Sequence, residues 1–229
     1  MALTQAQVGL TLRALPDPGM PADWERMEDA DYEALADRLL DGRAGPLRVF
    51  AYGSLIWKPG FETGARARGT AHGWHRSFCL HLTQWRGTEA VPGLMLALQS
   101  GGSTTGLVID AAEPARAALD KLLRRELIAK EHAGMARWVK VRLDTGERVD
   151  ALTFWANPDG PIVIELPAEE QAWRLAHACG HGGSGAEYLH ETVRALDAEG
   201  IRDRGLWHLQ ELVAEEIAAW GGAPPCLEG

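Results

Sequence analysis

VFAYGSLIWKP, residues 49–59, begins as a strand and stops as a turn. Leu47, Val49 and Ala51 alternate with Arg48, Phe50 and Tyr52 in a β-branched, aromatic-rich run, the period expected of a core strand. Gly53 and Ser54 follow directly. A glycine at that point lets the backbone turn sharply and lets a ligand approach the N–H groups of Gly53, Ser54 and Leu55 with no Cβ in the way. The stretch therefore reads in two ways: a strand carrying an anion or oxyanion cradle, or a strand ending in a plain turn.

Outward from this segment the pattern predicts an α+β fold. Upstream, residues 1–22 end in PDPGMP and read as a loosely attached arm. Trp24, Met27, Tyr32, Leu35, Leu39 and Leu40 recur at helical spacing over 23–41, with Gly42 as the stop. Downstream, short strands are expected at 67–74, 76–82, 94–99 and 105–109, divided by glycine and proline. Strands resume at 137–143 and 149–155 around the turn DTGE, residues 144–147, which makes the pair a hairpin. The sheet so assembled reads as antiparallel and barrel-like, with helices before and after it. Further helices are predicted from Pro167 to about Cys179, from Ser184 to Glu199 and from about Gly205 to Trp220. Ser184 with Glu187 three residues on is a capping-box pattern. In domain terms this is an N-terminal arm and helix (1–46), a main domain (47–220) and a C-terminal tail (221–229).

One helix carries a chemical signal. In PARAALDKLLRRE, residues 114–126, Leu119, Leu122, Leu123 and Glu126 stand at i, i+3, i+4 and i+7, so the carboxylate shares the apolar face. Desolvation and the negative end of the helix dipole should both raise its pKa, which suits a proton acceptor. Arg125, one residue earlier, is not expected to face it. The plainer alternative is a glutamate that reaches water where its helix ends.

Composition narrows the partners. The 229 residues suffice for one domain that buries roughly 70% of its unfolded surface. With 23 Lys and Arg against 32 Asp and Glu, the net charge of -9 argues against a nucleic-acid or anionic-membrane surface and for a small-molecule partner. Cys79, Cys179 and Cys226 are widely spaced and lack a C-x-x-C, so neither a disulfide framework nor a zinc knuckle is expected and a cytoplasmic location fits. The N-terminus has no signal-peptide pattern, and no apolar run is long enough to span a bilayer. Gly180, Gly182 and Gly185 match G-x-G-x-x-G, but the preceding QAWRLAHAC reads as helix rather than strand, so the stretch is a helix-to-helix turn and not a dinucleotide site. No P-loop and no G-x-S-x-G elbow occur. His177 and His181 flank Cys179 without an H-E-x-x-H pattern and read as ordinary helix-end histidines; no metal and no cofactor are expected.

Taken together, VFAYGSLIWKP (49–59), GWHRSFCL (73–80), RGT with PG (86–88, 92–93), LLRREL (122–127) and GSGAEYL (183–189) resemble, in order, the ChaC family of γ-glutamylcyclotransferases, in particular its bacterial branch. The resemblance spans residues 47 to about 213. It implies a small mixed barrel with surrounding helices, a substrate loop at Tyr52, Gly53, Ser54 and Leu55, and Glu126 as catalytic base, with Tyr188 a secondary candidate for lining the pocket. It further implies an enzyme, a lyase, that cyclises the γ-glutamyl group of glutathione to 5-oxoproline and releases cysteinylglycine. Another γ-glutamyl amine as substrate, or a noncatalytic γ-glutamyl-binding module, are the alternatives. Where the family usually carries a tyrosine soon after the R-E pair, this chain has LIAKEHAGMA (127–136) and offers His132, an imidazole of different reach and charge. Trp85 stands before R-G where a small or polar residue is usual, and residues 1–46 exceed the family pattern.

Overall fold

The structure, a computed structural model, describes residues 1–22 and 24–222; Asp23, Cys226 and most of the tail 221–229 lie outside the described residues. The chain forms two compact units. Among the described residues one comprises 20–76 and 98–157, the other 1–19, 77–97 and 158–222.

The first unit is built on a closed barrel. The barrel strands are β1 (Arg48–Ala51), β2 (Thr63–Leu82), β3 (Gly93–Ala111), β4 (Ala136–Leu143) and β5 (Arg148–Phe154), in the order β1-β3-β2-β4-β5; residues 77–82 of β2 and 93–97 of β3 are counted with the second unit. β1 runs antiparallel to β3, with Val49 opposite Ile109, and parallel to β5 at Val49 and Leu152, so the barrel is mixed. Val49, Phe50, Ala51, Ile109, Val141, Ala151 and Leu152 are fully buried, so β1 is covered on both faces rather than on alternate residues as the sequence pattern suggested. The predicted hairpin forms: Ala136 to Arg142 pair with Phe154 to Arg148, and the turn closes through Gly146 N–H donating to Leu143 O at 2.9 Å with Gly146 at φ +92°. The strands expected at 67–74 and 76–82 are one strand, as are those at 94–99 and 105–109. Gly73 at φ +83° and Gly101 and Gly102 at φ +105° and +71° interrupt the pattern without ending the pairing. Such single glycines mark bulges within long strands as readily as they mark turns.

Two helices complete this unit. α2 is Asp29–Leu40 and α3 is Ala115–Glu126, headed by Pro114. The expected helix over 23–41 therefore starts later. Trp24 and Met27 precede it in a non-helical segment whose Arg26 bridges Ala129 in antiparallel fashion, and Glu28 N–H is taken by the Asp31 carboxylate at 2.8 Å, which begins the helix there. Backbone pairing to a distant segment has overridden local periodicity.

The second unit is helical: α1 (Gln5–Thr11), α4 (Ala168–His177), α5 (Gly185–Ala198) and α6 (Arg204–Ala218) pack around Leu175, Leu189, Val193, Leu196, Leu206, Val213 and Ile217. The first residues, expected to be a loose arm, are held. Leu3 and Val8 are buried, Ala2 and Leu3 N–H both donate to the buried Gln210 Oε1 at 2.9 and 2.7 Å, and Thr4 caps α1. A weak sequence pattern conceals this because seven residues give little periodicity to read. Residues 179–184 form a two-stranded hairpin, β6 (Cys179–Gly180) and β7 (Gly183–Ser184), rather than a simple turn between helices. Among the described residues no helix is long and apolar enough to cross a membrane.

Candidate active site

In the barrel unit, β1 ends at Ala51 and delivers Tyr52 and Gly53 to a single 3-10 turn, Ser54–Ile56. Gly53 O accepts from Ile56 N–H at 2.9 Å and Ser54 O from Lys58 N–H at 2.9 Å. The N–H groups of Ser54 and Leu55 head this turn, where helical geometry supplies no carbonyl for them. Tyr52 and Leu55 are buried and Ser54 is half-buried. Arg76 braces the same corner: its Nε donates to Tyr52 O at 2.7 Å and its Nη2 donates to Thr105 O. A buried carbonyl at a strand end is satisfied by a guanidinium from β2, a role that local sequence does not announce.

Glu126 is the last residue of α3. Leu119, Leu122 and Leu123 on its face are fully buried, while 21% of the Glu126 side chain remains accessible. Loss of water around the carboxylate pushes its pKa up, and the Arg125 guanidinium pulls it down by less. Arg125 does face it, contrary to the expectation from helical spacing, with Nε 3.0 Å from Glu126 Oε1. Both residues lie within α3, so it is the long arginine side chain that bends round to its neighbour at the end of the helix, where Leu127 leaves in an extended conformation (φ -127°, ψ 105°). Arg125 Nη1 also donates to Lys58 O, in the segment that follows the 52–56 corner. One arginine thus joins Glu126 to the loop after Tyr52–Leu55.

His132 lies in the 3-10 segment Lys130–Met135, buried edge-on against Trp24 with ring centroids 4.7 Å apart. Burial lowers its pKa, so the ring is neutral at neutral pH, and its Nε2 has no hydrogen-bond partner among the described residues.

In the helical unit, Tyr188 sits in the first turn of α5, buried against Phe78 at 5.9 Å, with the Arg86 guanidinium 5.2 Å from its ring centroid. Arg86 Nη1 donates to Ser184 O and to Glu187 Oε2, each at 2.8 Å. The expected capping box is half made. Ser184 Oγ accepts from Glu187 N–H, but the Glu187 carboxylate turns to Arg86. Trp85, at φ +64° and half exposed, rests edge-on against His181, and its carbonyl accepts from Gly182 N–H at 2.7 Å. Cys79 is a free, buried thiol pushed up to about 11 by burial, too weakly acidic to serve as a thiolate nucleophile at neutral pH. Among the described residues no group of three or more His, Cys, Asp or Glu side chains is arranged to hold a metal ion.

Residues 47–216 match the sequence profile of the family described as ChaC-like protein. The chain belongs to that family. Among ChaC-like relatives it is 39% identical over 176 residues to the glutathione-specific gamma-glutamylcyclotransferase of Escherichia coli (strain K12), covering 76% of this chain and 75% of that protein. It is 29% identical over 191 residues to the human glutathione-specific gamma-glutamylcyclotransferase 1, covering 82% and 84%. A crystal structure of a yeast γ-glutamyl cyclotransferase specific to glutathione superposes with a TM-score of 0.66 at 22% identity, over 76% of this chain and all of that one, and supports the fold. The ChaC-like match leaves residues 24–40, the non-helical segment and α2, ahead of its start.

Proposed function

We propose that this ChaC-like chain is a lyase that cyclises the γ-glutamyl group of glutathione, with Glu126 as the base. The observation that carries the reading is a desolvated carboxylate of raised pKa at the end of α3, tied by Arg125 to the segment after Tyr52–Leu55. The names of the bacterial and human relatives supply the substrate class.

A γ-glutamyl compound holds its own nucleophile. Its α-amine, with a pKa of about 8, is mostly protonated at neutral pH and must lose a proton before it can attack. Glu126 takes that proton. The amine nitrogen then bonds to the γ-carbonyl carbon and gives up a second proton as the lactam N–H forms, the bond from that carbon to the cysteinyl nitrogen breaks, and the two protons lost by the attacking nitrogen, one of them carried by Glu126, end on the departing amine, which leaves as an ammonium. The products are 5-oxoproline and cysteinylglycine, and no water is consumed. Turn N–H groups at Gly53, Ser54 and Leu55 hold either the α-carboxylate or the developing oxyanion and keep amine and carbonyl in reach. The free buried cysteines are in keeping with work in a reducing cytoplasm.

The test is 5-oxoproline release from glutathione beside γ-glutamyl-alanine, for the wild type and Glu126→Gln. The variant keeps shape and loses basicity, so turnover should fall by about 10²–10⁴-fold with the melting temperature maintained. Full activity in the variant would reject Glu126 as the base. Turnover of γ-glutamyl-alanine alone would move the substrate to another γ-glutamyl amine, and binding without turnover would make the chain a γ-glutamyl-binding module.

A further inference from the structure

The last residues of a helix leave backbone carbonyls without intrahelical partners, and the chain that departs is free to fray unless something holds it. α3 ends at the very residue assigned as base. What holds its exit comes from residues 24–32, ahead of the stretch that matches the ChaC-like family. Tyr32 Oη donates to Leu127 O at 2.7 Å, Met27 N–H donates to Ile128 O at 3.1 Å, and Lys130 N–H donates to Glu25 O at 2.8 Å. Leu127 and Ala129 are fully buried, so water offers their backbone little alternative.

Side chains reinforce this pairing. Arg124, two residues before Glu126, places its guanidinium 4.6 Å from the Tyr32 ring centroid and reaches Asp29 at 2.7 Å and Asp120 at 3.0 Å. Lys130 pairs with Glu25 and, at 3.7 Å, with Asp31. Trp24 closes over His132. Glu126 therefore stands between two anchors: Arg125 on Lys58 O before it in sequence, and Tyr32 on Leu127 O after it.

We propose that residues 24–32 are a positioning strap for the catalytic carboxylate, with Tyr32 its central positioning residue. The inference rests on the reading of Glu126 as the base. The Tyr32 hydroxyl touches no reacting atom. It fixes the peptide that follows Glu126, and so the direction in which the carboxylate is presented. A proton transfer depends steeply on that direction, since displacement of a reacting group by about 1 Å can cost roughly 10²-fold in rate.

Tyr32→Phe retains the ring, its packing and its contact with Arg124, and deletes only the hydroxyl. Its kcat on glutathione should fall about tenfold or more while KM stays within about twofold, because binding does not use the hydroxyl. Hydrogen exchange in peptides covering 123–130 should quicken. Asp37→Asn, which breaks the Arg116–Asp37 ion pair between the same two helices far from Glu126, is the control and should leave kcat and that exchange unchanged. An active wild type with unchanged kcat in Tyr32→Phe would overturn the strap's positioning role and spare the proposed function. An inactive wild type would overturn the proposed function, and with it any catalytic role for the strap; faster exchange in the variant would then still support the hold on the helix end. Unchanged exchange would overturn that hold itself.

Discussion

At the scale of the residue, the state of Glu126 links stability to activity with opposite signs. Desolvation raises its pKa, so the native state keeps the proton to higher pH than the unfolded chain does. Its contribution to stability is complete below the ordinary glutamate pKa and is lost as pH rises through the raised one. Activity runs the other way, because only the ionised form accepts a proton. The acid limb of kcat/KM should therefore lie above the usual carboxylate range. Arg125 lowers the pKa, so Arg125→Met should move that limb to still higher pH, as pH–rate profiles of the two proteins will reveal. A limb that stays in place would mean the 3.0 Å ion pair does not tune the carboxylate. The placement of Glu126 on an apolar helix face was legible from the i, i+3, i+4, i+7 spacing. The contact with Arg125 was not, because consecutive helical positions point apart and only the bend of the arginine side chain brings its guanidinium back to the carboxylate.

At the scale of the element, boundaries moved wherever distant backbone competed with local pattern. Trp24 and Met27 fall on a helical period yet lie in a non-helical strap, and the glycines at 73, 101 and 102 interrupt the pattern of β2 and β3 without ending the strands. The GHGGSG stretch shows the same competition. Its glycines permit close approach: a Cβ at Gly180 would lie 2.3 Å from Trp85 O and one at Gly182 2.7 Å from the Trp85 ring. Because the obstacle at Gly180 is backbone, Gly180→Ala should destabilise the protein by about 1–3 kcal/mol, read as a lowered midpoint in urea. An unchanged midpoint would mean that the hairpin shifts aside at little cost.

At the scale of the whole molecule, the N-terminal residues are structural. Gln210, on α6, accepts from Ala2 and Leu3 N–H and is almost wholly buried. Gln210→Ala should leave two backbone donors without that acceptor, costing about 1–3 kcal/mol in urea unfolding and speeding hydrogen exchange over residues 2–11. Equal stability would show that α1 is held by its apolar residues alone. Sequence by itself determined the fold class, the strand and turn at 47–55, the 136–154 hairpin and the helix that bears Glu126, because each is written in a local period or turn chemistry. Only the tertiary structure decided that Arg76 braces Tyr52, that Arg125 joins Glu126 to Lys58, that Arg86 takes the Glu187 carboxylate and that residues 24–32 clasp the exit of α3. These contacts bring together residues up to about a hundred positions apart. No periodicity carries that information, because which orphaned carbonyl meets which donor is set only when the elements pack.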